Sequence, residues 1–245
     1  MQSHRSSQAP RYAAAVPHEE EHRDITSGGP RAAIFGMSDG LVTNVSLILG
    51  FAGAHPAATV VRLAGLAGLV AGAFSMGAGE FLSMTVQREL FERELDIERR
   101  AIRDTPEGET EELVEIFRKK GLAPELARRL AIEVMSNPEL ALETHAREEF
   151  GVDPSALGSP IKASSASFVA FVVGAFLPLL PWLIGSGGGA ITWSIVLGAT
   201  GAVTLGAVLG RLSGRSWWLG ALRSLLVATL AAGVTFAVGR AVGAG

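Results

Sequence analysis

The stretch ASSASFVAFVVGAFLPLLPWLIGSGGGAITWSIVLGATGAVTLGAVLG (163–210) contains no Asp, Glu, Lys or Arg. A run of 48 uncharged residues is longer than any core helix of a soluble domain. It suffices for two bilayer crossings at ~20 residues each. The glycine-rich break at 185–189 divides it into spans of about 164–185 and 190–210. Pro178 and Pro181 are expected to kink the outer end of the first, because proline lacks an N–H and crowds the preceding turn. A further span follows at 217–239.

Working toward the N-terminus, two more apolar segments emerge. RAAIFGMSDGLVTNVSLILGFAGA (31–54) is interrupted only by Asp39. After the turn AHPAAT (54–59), a second segment runs to about Gln87, with Arg62 near its start and Glu80 near its end. Gly65, Gly68, Gly72, Gly77 and Gly79 give this segment a small-residue face, which lets helices approach closely in lipid. The fold class is therefore all-α, a polytopic membrane protein with five transmembrane helices. Residues 1–30, rich in Ser, Ala, Pro and charge, read as a mobile tail with no secretory leader.

Between the second and third spans the composition inverts. Residues 88–150 hold 17 acidic and 11 basic side chains, and the whole segment 88–160 reads as a soluble helical insert. The second span is expected to continue into it as one long helix, since 88–104 lacks Gly and Pro. Thr105-Pro106 predicts a new helix with Thr as cap and Pro in the first turn. Two more helices are expected, from Ala123-Pro124 to about Asn137-Pro138, and from Glu139 to Phe150.

Arg and Lys set the expected topology. Arg23, Arg31, the insert, Lys162 and Arg211–Arg215 fall on one side, while loops 54–60 and 185–190 carry none. That places the N-terminus and insert in the cytosol, and the protein in the inner membrane if the cell is prokaryotic. Trp217 and Trp218 fit an inner interfacial belt, Trp182 and Trp193 an outer one.

The chemistry-bearing residues are few. The chain has no cysteine, which excludes thiolate metal sites and disulfides. There is no basic stripe for nucleic acid, no phosphate loop and no catalytic triad, so no enzyme and no prosthetic group is expected. Asp39 lies about 12 Å of helix rise beyond Arg31, at 1.5 Å per residue. A carboxylate at such depth costs ~2.5–3.5 kcal/mol and ordinarily faces a cavity or partner. Glu80 is the second such residue, and Met76 lies one turn before it. The alternative is a structural role, with Asp39 and Glu80 paired to Arg62 or Arg223. In the insert, Glu94 and Glu98, then Glu109, Glu112 and Glu115, then His145 and Glu149 recur at helical spacing. They could gather as metal ligands or form a solvated face laced with arginine pairs. His18-Glu-Glu-Glu-His22 matches the metalloprotease pattern H-E-x-x-H, but it sits in the tail without a walled cleft.

FGMSDGLVTNVSLILG (35–50) and AGAFSMGAGEFLSM (71–84) resemble the vacuolar iron transporter family. So does the insert, with Pro106, Glu109-x-x-Glu112 and a closing EEFG at 148–151. The resemblance implies a homodimer of five-span subunits with a pore between paired first helices. It implies export of Fe2+ from the cytosol in exchange for protons, with Mn2+ accepted and Co2+ or Zn2+ as further candidates. It makes Asp39 and Met76 pore ligands with Glu80 nearby, and it makes Glu98, Glu109, Glu112 and Glu149 cytosolic metal ligands. This chain departs from the family in having Ala101 one turn after Glu98, Gly68 midway through the second span, and His145-Ala146 where plant members carry a methionine pair. His145 would retain a nitrogen donor. The rival reading is a membrane metal sensor or buffer that transports nothing.

Overall fold

A computed structural model describes residues 28–154 and 157–243. Among these there are eight helices and no strand: α1 (Gly28–Gly53), α2 (Ala58–Asp104), α3 (Pro106–Lys119), α4 (Pro124–Met135), α5 (Pro138–Glu149), α6 (Pro160–Ile184), α7 (Gly187–Leu212) and α8 (Trp217–Gly243). Five of them, α1, α2, α6, α7 and α8, are long and apolar enough to cross a membrane. The expected tail lies outside the described residues except for 28–30, which form the first turn of α1.

α1 is the most enclosed of the spanning helices and packs against α6, α8, α2 and α7. Its seam with α6 is made of glycine. A Cβ at Gly36 would collide with the Ser167 carbonyl, one at Gly40 with that of Phe171, and one at Gly174 with that of Met37. Lipid supplies no hydrophobic force between helices, so such close backbone approach is what holds them together. The glycine face of α2 works the same way, with differences along its length. Gly65 meets Leu179 and Ile48, Gly72 meets the Phe171 ring and Gly77 meets Phe168, whereas Gly79 faces open space and belongs to no packing face.

α2 spans 47 residues without a break and carries the chain out of the apolar region into the insert. There α3, α4 and α5 close a small core of Leu113, Val114, Phe117, Ala127, Ala131, Val134 and Ala141, with Ile102 of α2 packed against it. Each insert helix opens with proline in its first turn. Gly121 and Gly151 follow α3 and α5 with φ of +93° and +65°, the left-handed geometry that ends helices.

Three local expectations change. Thr105 does not cap α3 through its side chain; its hydroxyl donates to the Ala101 carbonyl at 3.0 Å and closes α2 instead. The loop between α6 and α7 shrinks to Gly185 and Ser186, because residues 187–189 are already helical. Trp182 is not a lipid-facing belt residue. It is buried among Ile48, Ala52, Val61, Leu179 and Ala190, while Trp193, Trp217 and Trp218 are exposed.

Candidate metal site

The carboxylates of the insert separate into two populations. Several are solvated and paired on the surface, as the arginine-laced reading expects: Arg88 with Glu92, Arg99 with Asp96, Lys119 with Glu115 and Arg128 with Glu111. Glu98, Glu109 and Glu149 behave differently. Together with His145 they offer ligand atoms that all lie within 4.8 Å of one another.

Three helices build this cluster. Glu98 comes from the far end of α2, Glu109 from the first turn of α3, and His145 and Glu149 from successive turns of α5. His145 is fully buried, and its Nδ1 lies 2.6 Å from Glu149 Oε1, 3.2 Å from Glu98 Oε1 and 3.8 Å from Glu109 Oε2. Nε2 is buried with no hydrogen-bond partner, and so is Glu98 Oε1. Burial pushes the Glu98 carboxyl up to about 7; His145 pulls it down, and Glu149 and Glu109 push it further up. No Arg or Lys is among the groups that act on it. Three acidic groups around one imidazole, without a fixed cation to neutralise them, form a donor set of oxygen and nitrogen suited to a borderline divalent metal.

Glu112 is not one of the four. It is exposed, and its carboxyl is raised by partial desolvation and then by Glu149 and Glu109, so it stands at the rim of the cluster. Glu94 is exposed on α2, and Glu115 is taken up by Lys119.

Within the spans, Asp39 is half-buried on α1 and accepts a hydrogen bond from the Thr43 hydroxyl at 3.1 Å. Met76 and Glu80 are half-buried on α2, Met76 against the cluster of Ala73, Phe171 and Ala175. Among the described residues no ion pair joins Asp39 or Glu80 to an arginine. Arg62 is occupied elsewhere: its Nε donates to the Trp182 carbonyl at 2.5 Å and its Nη2 to that of Gly185 at 3.0 Å. It thereby caps the C-terminal end of α6, where a cation also complements the helix dipole. Arg223 is exposed on α8. The HEEEH segment at 18–22 lies outside the described residues.

Sequence reasoning passed over Asn44. It is a neutral amide in the apolar segment 31–54, and a search for ionisable groups does not register it. It is fully buried, and only one end of its side chain is hydrogen-bonded.

Comparison with known proteins covers almost the whole chain. It is similar to vacuolar iron transporter 2 of Oryza sativa subsp. japonica, 31% identical over 92% of each chain. It is similar to the vacuolar iron transporter of Acanthamoeba castellanii, 33% identical over 90% of this chain and 82% of the other. Vacuolar iron transporter 1 of Tulipa gesneriana is 30% identical over 92% of this chain and 91% of its own. The family model for the VIT family matches residues 30–240, and with the five apolar helices and the four-residue cluster already in place, this protein belongs to the VIT family.

Proposed function

We propose that this chain transports divalent iron or manganese across a membrane. The observation that carries the reading is the cluster of Glu98, Glu109, His145 and Glu149 at the end of a helix that is itself a membrane span. The names of its relatives as vacuolar iron transporters support iron as the cargo. The insert faces the cytosol, where its acidic surface raises the local concentration of cations and the cluster selects among them. The ion then passes to Met76 and Asp39 on adjacent packed helices, with Glu80 one turn beyond Met76. Two copies of the chain pair their first helices to enclose this path, and protons move in the opposite direction. Ionised carboxylate binds the cation, and protonation favours its release.

Flux of Fe2+ and Mn2+ into proteoliposomes, with and without a pH gradient, tests this reading. The unsubstituted protein is expected to carry the ion and to respond to the gradient, and Asp39→Ala is expected to abolish transport. An Asp39→Ala protein that transports at the normal rate removes the pore assignment. The sensor or buffer reading draws on the fact that the cluster lies in the charged insert, beyond the apolar stretch of α2 that ends near Gln87. It predicts metal binding with no flux at all.

A further inference from the structure

A threonine inside a helix ordinarily donates its hydroxyl to the carbonyl one turn back. Thr85, Thr110, Thr144 and Thr192 do so here, at 2.8, 2.7, 2.6 and 3.0 Å. Thr43 on α1 behaves differently. The residue one turn back is Asp39, and the hydroxyl passes over its main-chain carbonyl to donate to the side-chain Oδ1 at 3.1 Å. Among the described residues this is the only hydrogen bond to the Asp39 carboxylate, so Oδ2 is left unengaged. A carboxylate can accept at both oxygens, and Thr43 holds one while the other stays free.

The pair also lies where α1 is open. Between Ala32 and Gly53 the exposed residues of α1 are Phe35, Thr43 and Phe51. Asp39 stands midway between the first two on the same row, because four residues carry a helix only about 40° past a full turn. Hydroxyl and carboxylate therefore share the strip of α1 that its neighbours in the chain leave uncovered, and among the described residues no Arg or Lys pairs with Asp39 there. An unheld carboxylate swings among rotamers, whereas a ligand oriented by a hydrogen-bonded neighbour binds its metal more tightly. The Thr43 hydroxyl supplies that hold without adding charge. At 3.1 Å the bond is longer than the ~2.5–2.7 Å of a strong hydroxyl–carboxylate bond, so it orients the group without competing hard for it.

We propose that Thr43 is the positioning residue for Asp39, orienting its carboxylate so that Oδ2 meets the transported divalent cation. This rests on the transport reading given above. The experiment measures the concentration dependence of Fe2+ and Mn2+ flux in proteoliposomes for the unsubstituted protein, Thr43→Val and Thr43→Ser, with thermal unfolding in detergent followed alongside. Thr43→Val keeps the branched shape and removes the hydroxyl. It is expected to raise KM about tenfold, the lower end of what a lost partner of a ligand costs, since this bond is long. The maximal rate is expected to stay within about twofold, as for the loss of an interaction made equally in the bound and crossing states. The melting temperature should not fall. Thr43→Ser restores the hydroxyl without the methyl group and is expected to bring KM back. A merely structural threonine would lower the melting temperature or the maximal rate and leave KM alone. An unchanged KM in Thr43→Val, or a Thr43→Ser protein no better than Thr43→Val, overturns the proposal while the transport reading stands. Absence of flux in the unsubstituted protein, or normal flux in Asp39→Ala, overturns the transport reading or its pore assignment, and this proposal with it.

Discussion

His145 is the residue on which the insert turns. It is the one nitrogen donor in a ring of carboxylates, it is fully buried, and its Nδ1 faces all three of them. His145→Ala is expected to weaken divalent metal binding by about 100-fold, since the loss of even an outer partner of a ligand costs 10–100-fold. Titration calorimetry of the full chain in detergent measures this. Glu98 supplies the pH dependence. Its carboxyl is raised from 4.5 to about 7, first by burial. In the metal-free protein the folded state then holds this proton more tightly than the unfolded chain does. The contribution to stability is full below about 4.5 and is lost as pH rises toward 7. Metal needs the ionised form, so affinity runs the other way and climbs across the same window. Hydrogen-exchange protection of α3 to α5, taken relative to the intrinsic exchange rate at each pH, is expected to fall from pH 5 to 7.5 without metal and to recover when Mn2+ is added. In Glu98→Gln this pH response should flatten.

At the scale of the element, the glycines make a sharper statement than the apolar residues around them. Gly40 lies against the Phe171 carbonyl, an immobile backbone atom, so Gly40→Ala must push α1 off α6. Overpacking of this kind costs about 1–3 kcal/mol, and a lowered melting temperature in detergent is the expected result. Gly79 has nothing within 4 Å of where a Cβ would stand. Gly79→Ala is expected to leave melting unchanged or raise it slightly, because alanine is the better helix former by ~1 kcal/mol. Sequence alone placed both glycines in helices and grouped Gly79 with the packing face. Spacing shows which positions are small; it does not show which neighbour stands opposite. The same limit explains the insert. Helical spacing brought Glu109, Glu112 and Glu115 onto one face, yet only Glu109 is turned into the cluster, because its partners come from α2 and α5. The elements themselves were legible, since long uncharged runs and proline-led helix starts are local signals. Trp182 and Arg62 were not, because burial against α2 and capping of α6 are contacts between distant segments.

At the scale of the whole molecule, α2 joins the two halves. It is one unbroken helix from the apolar region to Glu98, so the metal cluster is fixed rigidly to a span. Charge predicts the sidedness of that arrangement. The α6–α7 connection at Gly185 and Ser186 has no Lys or Arg near it, whereas the insert and the α7–α8 turn with Arg211 and Arg215 carry the Lys and Arg that the positive-inside rule assigns to the cytosol. The chain contains no cysteine, so a single introduced thiol reports its own side of the membrane without background. In intact cells, a membrane-impermeant maleimide is expected to label Ser186→Cys and to spare Arg118→Cys on α3. Permeabilised cells should label both. A helix of 26 residues such as α7 rises about 39 Å at 1.5 Å per residue, longer than the ~30 Å hydrocarbon core, so its two ends cannot share one face of the bilayer. Labelling of Arg118→Cys from outside would place the acidic insert beyond the cytosol, and the ion would then have to enter from the opposite side to the one charge assigns.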